Sequence, residues 1–205
     1  MKLILVRHGE TQWNRENRVV GFADIGLNDE GRRQVKRLAL ALKGEKVDAI
    51  YSSPLSRAWE TAQEIARFHD GEVKADDAFK EMNAGELDGL TYDDMRERYG
   101  ELIKRWFREP ASVTMPGGEA LASVQERAWL AVERIRGKHP DGAVMVVSHN
   151  FVIMCIICKA LGIDLSQFRR LRLHVASISI LNLGRRGTSL VLFNDTCHLE
   201  GEERG

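Results

Sequence analysis

Three short apolar runs divide the chain, and each stops abruptly at polar residues. Leu3-Ile4-Leu5-Val6 ends at Arg7-His8-Gly9, Val47 to Tyr51 ends at Ser52-Ser53-Pro54, and Ala143 to Val147 ends at Ser148-His149-Asn150. Consecutive apolar residues without helical spacing suit strands covered on both faces. Between these runs the period changes to 3.6. Asn28 is placed to cap a helix over Asp29 to Leu42, with Val35, Leu38, Ala39 and Leu42 on its apolar face and Gly44 closing it. Ser53 as N-cap and Pro54 at the first helical position predict a second helix, with Ala58, Ala62, Ile65 and Ala66 buried. Thr91 predicts a third, carrying Met95, Tyr99, Leu102, Ile103 and Trp106. A fourth presents Val124, Ala128, Ala131, Val132 and Ile135, and a fifth runs from Phe151 to Leu161 before Gly162.

The remaining stretches are weaker. Gly71 to Ala75 reads as a short strand, and Val175 to Leu183 with Ser189 to Phe193 as a hairpin joined by residues 184–188. Arg15 to Gly26, Asp76 to Leu90 and Glu109 to Gly118 read as loops, the last two bordering a pocket mouth. Strands alternating with helices predict an α/β fold: a three-layer α/β/α sandwich with a mostly parallel central sheet and an antiparallel hairpin at its C-terminal edge. With no internal repeat or low-complexity linker, one domain is expected over residues 1–205.

Composition narrows the function classes. Lysine plus arginine and aspartate plus glutamate both number 30, so no excess positive charge exists to track a nucleic acid or an anionic membrane. Neither partner is expected. Three cysteines, Cys155, Cys158 and Cys197, do not make a disulfide framework and fit a reducing compartment. The first apolar run, four residues, is too short for a signal-peptide core, and a cytoplasmic location is expected. Cys155 and Cys158 have the spacing of a redox pair but sit inside an apolar helix, which points to core packing. His69, His139, His174 and His198 lack metal-ligand spacing, and no GxxxxGK[ST] loop is present, so no metal and no cofactor are expected.

What remains is the chemistry at the strand ends. In open α/β sheets, ligands bind outside the carboxyl ends of the strands. Arg7 and His8, then Arg57, then His149 all fall at or just after such ends. Arginine forks match phosphate oxygens, and a neutral histidine can accept a phosphoryl group on a ring nitrogen. Glu81, Glu86 and Asp88, in the acidic loop, are candidates for protonating a leaving alcohol.

Arg7-His8-Gly9-Glu10-Thr11 with Asn14 resembles the signature of the histidine phosphatase (phosphoglycerate mutase-like) superfamily. The resemblance extends through Gly21 to Gly31, Ser52 to Thr61, Glu81-Gly85-Asp88-Gly89, Pro116-Gly117-Gly118-Glu119 and Ser148-His149. It implies a phosphoglycerate mutase-like fold and a metal-independent phosphomonoesterase acting on a small phosphorylated metabolite through a phosphohistidine at His8. Arg7, Arg57, His149 and Asn14 would hold the phosphate. Glu81 would be the general acid, its pKa raised by apolar neighbours such as Phe79 or Met82, while Glu86 and Asp88 are expected to be solvated. Two positions depart from the family's pattern. Val20 stands where many members carry glutamine, and Asn150, counted among the substrate-binding residues, where many carry glycine. The short chain and its end, Phe193 to Leu199, resemble the α-ribazole phosphatase-like and broad-specificity branch. The rivals are a phosphoglycerate mutase, which usually carries an insertion absent here, and a non-catalytic phosphate-binding module. The partner expected is a small phosphate monoester, with a second copy of the chain, as a homodimer, the one protein partner left open.

Overall fold

In the computed structural model, which describes residues 1–200, six strands form one sheet flanked by helices on both faces. In chain order the elements are β1 (Lys2–Arg7), α1 (Gln12–Arg15), α2 (Asp29–Leu42), β2 (Ala49–Ser52), α3 (Ser56–Ala66), β3 (Val73–Ala75), α4 (Tyr92–Arg108), α5 (Leu121–Lys138), β4 (Ala143–Ser148), α6 (Asn150–Leu161), β5 (Ile178–Gly184) and β6 (Gly187–Asp195). The strand order is β3-β2-β4-β1-β5-β6. The first four strands of that order are mutually parallel, and β5 pairs antiparallel with both β1 and β6. The expected three-layer architecture with a C-terminal antiparallel hairpin is present; the expected end of the domain at residue 205 lies outside the described residues.

Strand alternation separates the core into two halves. On β1, Leu3 and Leu5 join a cluster with α5 and α6, while Ile4 and Val6 join the cluster beneath α2 and α3. On β4, Val144 and Val146 face the first cluster, and Met145 and Val147 the second. These eight side chains are fully buried. Each contributes about 1.5–3 kcal/mol on leaving water, which is why the two runs read as unbroken apolar stretches.

Several element boundaries differ from expectation, each for a local reason. The stretch read as a loop from Arg15 is preceded by a single helical turn, α1, which Thr11 and Asn14 close with a capping box too short to show as a periodic pattern. Helix α3 begins at Ser56, not Pro54. Ser53 Oγ accepts a hydrogen bond from Leu55 N at 3.2 Å, and the helix start is served by Asp24, which accepts from Ser56 N and Ser56 Oγ at 2.7 and 2.9 Å. The hairpin strands meet nearer their turn than expected: Gly184 pairs with Gly187, so only Arg185 and Arg186 form the loop. Helix α4 is kinked at Tyr99, where φ is −129° and ψ is 28°. Cys155 and Cys158 are buried free thiols on α6, in agreement with a packing role. No helix among the described residues is long and apolar enough to cross a membrane.

Candidate active site

Register alone brings the two histidines together. Arg7 of β1 pairs with Ser148 of β4, and β4 also pairs with β2, Val147 opposite Ser52. The next residues of the three strands are His8, His149 and Ser53, and they leave the sheet side by side. His8 N donates to Ser148 O at 3.1 Å and Ser53 N to Val147 O at 3.0 Å, which continues the ladder past the strand ends. The rings of His8 and His149 lie 5.1 Å apart, centroid to centroid, tilted by 59°. His8 is 3% exposed and His149 fully buried.

A carbonyl fixes the tautomer of one ring, and a hydroxyl partners the other. His8 Nδ1 lies 2.7 Å from Gly9 O, which can only accept, so Nδ1 carries the proton and Nε2 keeps its lone pair. Ser53 Oγ, already accepting from Leu55 N, lies 2.8 Å from His149 Nε2; its one hydrogen, turned to that nitrogen, leaves the proton of His149 on Nδ1. Burial, and then the nearby Arg57, hold both imidazoles well below the usual histidine pKa; for both, Arg7 acts in the same direction. Both are neutral at neutral pH.

Arg57 reaches the site from the first turn of α3 and is 0% exposed. Its Nη1 donates to Ala23 O at 2.9 Å and its Nη2 to Gly21 O at 2.8 Å. That loop is fixed in turn by Asp88, whose carboxylate accepts from Gly21 N at 2.8 Å and Ala23 N at 2.7 Å. Asp88 is not solvated as expected. It is half-buried and shapes the cradle of an arginine; only Glu86, exposed and bonded to Tyr99 OH, fits the solvated description. Arg7 is anchored through Nη1 to Leu173 O at 2.5 Å, and burial pushes its guanidinium down to about 10. Among the described residues six buried polar side-chain atoms have no hydrogen-bond partner, and three of them are Arg7 Nε, Arg57 Nε and His149 Nδ1. The two arginine atoms are N–H donors, as is His149 Nδ1 in the tautomer that accepts from Ser53, and buried donors left unpaired are costly unless an acceptor arrives.

Glu81 lines the same cavity as His8 and is 5% exposed. Its Oε1 accepts from Met82 N at 2.8 Å and its Oε2 weakly from Phe151 N at 3.4 Å. Burial beside Phe79 and Met82 raises its pKa, partly offset by Met82 N–H and by Arg57 and Arg7. The loop carrying it is tied to the sheet by Ser148 Oγ, which donates to Phe79 O at 2.7 Å, and to α5 by Arg127. Arg127 donates to Ala78 O, Lys80 O and Glu81 O at 2.7, 2.8 and 2.9 Å while pairing with Glu119. Sequence reasoning passed over Arg127: an arginine on a helix whose partners are backbone carbonyls 46 to 49 residues away leaves no local pattern.

Asn14 and Asn150 line the same cavity as Arg7, His8 and Glu81. Asn14 Oδ1 is used up by Thr11 N and Thr11 Oγ1, both at 3.0 Å, so only its amide nitrogen faces a ligand. Val20 also lines the cavity, at the place where the family's glutamine would stand. Gly9 is required by packing. A Cβ there would lie 2.7 Å from both Gly31 O and Val35 Cγ2 on α2. Among the described residues no group of three or more His, Cys, Asp or Glu side chains is placed to hold a metal ion.

A neutral imidazole with a free Nε2, three unpaired N–H donors beside it, and a carboxyl group biased toward its protonated form together suit an anionic tetrahedral group and an oxygen leaving from it. Comparison with known proteins points the same way. A model of the histidine phosphatase superfamily (branch 1) matches residues 3–196. Phosphoserine phosphatase 1 of Hydrogenobacter thermophilus is 40% identical over 199 residues, 97% of this chain and 94% of that one. The solved structure of YhfR from Bacillus stearothermophilus superposes with a TM-score of 0.91 at 28% identity, covering 97% of this chain and 99% of the other. An α-ribazole phosphatase from Shigella flexneri shares the fold at 23% identity, with a TM-score of 0.86 over 96% of this chain and 97% of that chain.

Proposed function

The chain belongs to the histidine phosphatase superfamily, branch 1, and from that membership and the geometry above we propose that it hydrolyses small phosphate monoesters through a phosphohistidine at His8. The observation that carries the proposal is the neutral, oriented His8 beside three buried, unpaired N–H donors. In the first step His8 Nε2 attacks phosphorus, the N–P bond forms and the ester P–O bond breaks. Glu81 gives its proton to the leaving alkoxide, which departs as the alcohol. In the second step water attacks phosphorus, Glu81 takes the water's proton, the N–P bond breaks and inorganic phosphate leaves. Arg7, Arg57 and His149 Nδ1–H donate to the phosphoryl oxygens throughout, and the Asn14 amide and Asn150 border them. No cofactor and no metal take part in this scheme.

The similarity to a phosphoserine phosphatase favours hydrolysis over the mutase alternative. The presence of a raised-pKa carboxyl in the cavity of the nucleophile favours it over a binding-only role, since binding an anion requires no proton donor. We further assign the chain to one domain and to the cytoplasm, acting without nucleic acid or membrane; both core clusters lie against the same sheet. The test is to incubate the protein and His8→Ala with p-nitrophenyl phosphate and with 3-phosphoglycerate in the presence of chelator. The account predicts phosphate release by the native protein alone. Isomerisation of 3-phosphoglycerate without release would make it a mutase, and silence with every ester would leave only binding.

A further inference from the structure

The cavity that opens on His8 and Glu81 has a volume of about 590 Å³, within the ~300–1,000 Å³ of sites that enclose drug-sized ligands. A phosphate with a three-carbon tail would leave much of it unfilled. Beyond the phosphate end one side of it is apolar, built from Met82, Met95, Ile103, Trp106, Met115 and Phe151. Trp106 and Phe151 meet edge to face, their centroids 6.1 Å apart, and Phe168 backs both at 5.9 and 5.8 Å. Arg169 clamps this group from outside. Its guanidinium lies 4.1 Å from the centre of the Phe107 ring, and Nη2 donates to Trp106 O at 3.0 Å. The apolar surface continues to the mouth, where Tyr92 and Phe107 are more than half exposed.

The charged and polar groups Glu10, Arg18 and His174, elsewhere in the lining, each have a partner within the protein. Glu10 accepts from Asn28 and pairs with Arg15, Arg18 is bonded to Glu16 and Gly89 O, and His174 Nδ1 lies 2.9 Å from Asn194. An ammonium or carboxylate carried on the alcohol would have to draw one of these groups from its partner or lie against Trp106 and the methionines, where burial of a charge is unfavourable. An apolar body would displace water from apolar surface, and the unbranched methionines could adapt to more than one shape.

We propose that the alcohol subsite of this enzyme takes bulky apolar alcohols, arylalkyl or cyclic, and selects against small zwitterionic esters of the phosphoserine type. The proposal rests on the hydrolase reading above and names its substrate class. The test compares kcat/KM for 2-phenylethyl, ethyl and O-seryl phosphates, all primary alkyl esters, with p-nitrophenyl phosphate as a reporter of turnover. Burial of the phenyl group is expected to raise kcat/KM for the phenylethyl ester about 10- to 100-fold over the ethyl ester, with phosphoserine no better than ethyl phosphate. Trp106→Ala, and Met95→Gln should the first variant fail to fold, are expected to lower the phenylethyl-to-ethyl ratio at least about threefold. A phosphoserine value equal to or above that of the phenylethyl ester, or a ratio unchanged in a folded variant, would overturn the inference while leaving hydrolysis standing. Hydrolysis of none of the esters, p-nitrophenyl phosphate included, would overturn both.

Discussion

Asp88 lies outside the cavity lining, yet its removal should be felt at the phosphate. Its two oxygens hold Gly21 N and Ala23 N at 2.8 and 2.7 Å, and the carbonyls of the same two residues hold both terminal nitrogens of Arg57. Asp88→Ala removes two charge-assisted hydrogen bonds. Each is worth about 1.5–3 kcal/mol in general; because Asp88 is half-exposed and water can replace part of what is lost, the pair should cost about 2–3 kcal/mol of stability. The functional effect comes through Arg57. A guanidinium whose cradle has slackened loses its alignment with the phosphoryl oxygens, and a misplacement of about 1 Å can cost on the order of 100-fold. We expect kcat/KM for p-nitrophenyl phosphate to fall about 10- to 100-fold, with weaker inhibition by inorganic phosphate in parallel, while Asp88→Asn, which keeps one acceptor oxygen, falls between native and Ala. Urea denaturation and steady-state kinetics on the three proteins decide it. A stability loss with kcat/KM within twofold of native would show that Arg57 does not depend on the loop, and the reasoning would be refuted.

Other expectations follow from the same geometry. Glu81 has a folded pKa above its unfolded value, so the native state retains a proton that the unfolded chain gives up, and stability falls as pH rises from the ordinary carboxylate range toward neutrality. Glu81→Gln removes that fall along with the proton donor. Its stability relative to native should therefore grow as pH rises above about 4 while activity is lost, and parallel pH curves in thermal denaturation would contradict the shift. Ser53→Ala frees His149 Nε2 to compete for the ring proton now held on Nδ1. A drop of about 3- to 10-fold in kcat/KM is expected from the lost hydrogen bond, and an unchanged value would show that Ser53 does not set the tautomer. Gly9→Ala places a methyl 2.7 Å from Gly31 O and Val35 Cγ2. Overpacking of that kind costs about 1–3 kcal/mol, and a chemical denaturation midpoint equal to native would show that α2 can yield.

Much of this site was legible in the sequence because its main residues follow strands that are buried on both faces. An unbroken apolar run locates a strand, and the residue after its end is at the rim wherever the strand sits in the sheet; that placed His8 and His149. Arg57 could be placed because a helix returning from a strand begins near the same rim. The supporting residues were harder to see. Ser53 carries the marks of a helix cap, and only the pairing of β2 with β4 shows that its hydroxyl turns to His149 instead. Asp88 sits among acidic residues and glycines, a composition typical of solvated loops, and its partners lie 65 and 67 residues away. Asn14 was placed near the phosphate from resemblance, but its side-chain oxygen closes a one-turn helix with no periodicity to announce it. The apolar wall was half visible. Met95, Ile103 and Trp106 lie at helical spacing, which reads as core, and the fold turns part of that stripe toward the cavity of His8.

The central claim is that the phosphoryl group passes through His8 Nε2. Rapid quenching of the reaction under alkaline conditions, where phosphohistidine survives, followed by mass-spectrometric mapping and phosphorus NMR, tests it directly. The account predicts an acid-labile phosphoryl group on His8, bonded at Nε2, absent from His8→Ala and, with p-nitrophenyl phosphate, whose phenolate leaves without needing a proton from Glu81, accumulating in Glu81→Gln, because activation of water is slowed when the carboxylate is lost. Turnover without any phosphoenzyme, or a phosphoryl group on a residue other than His8, would contradict it.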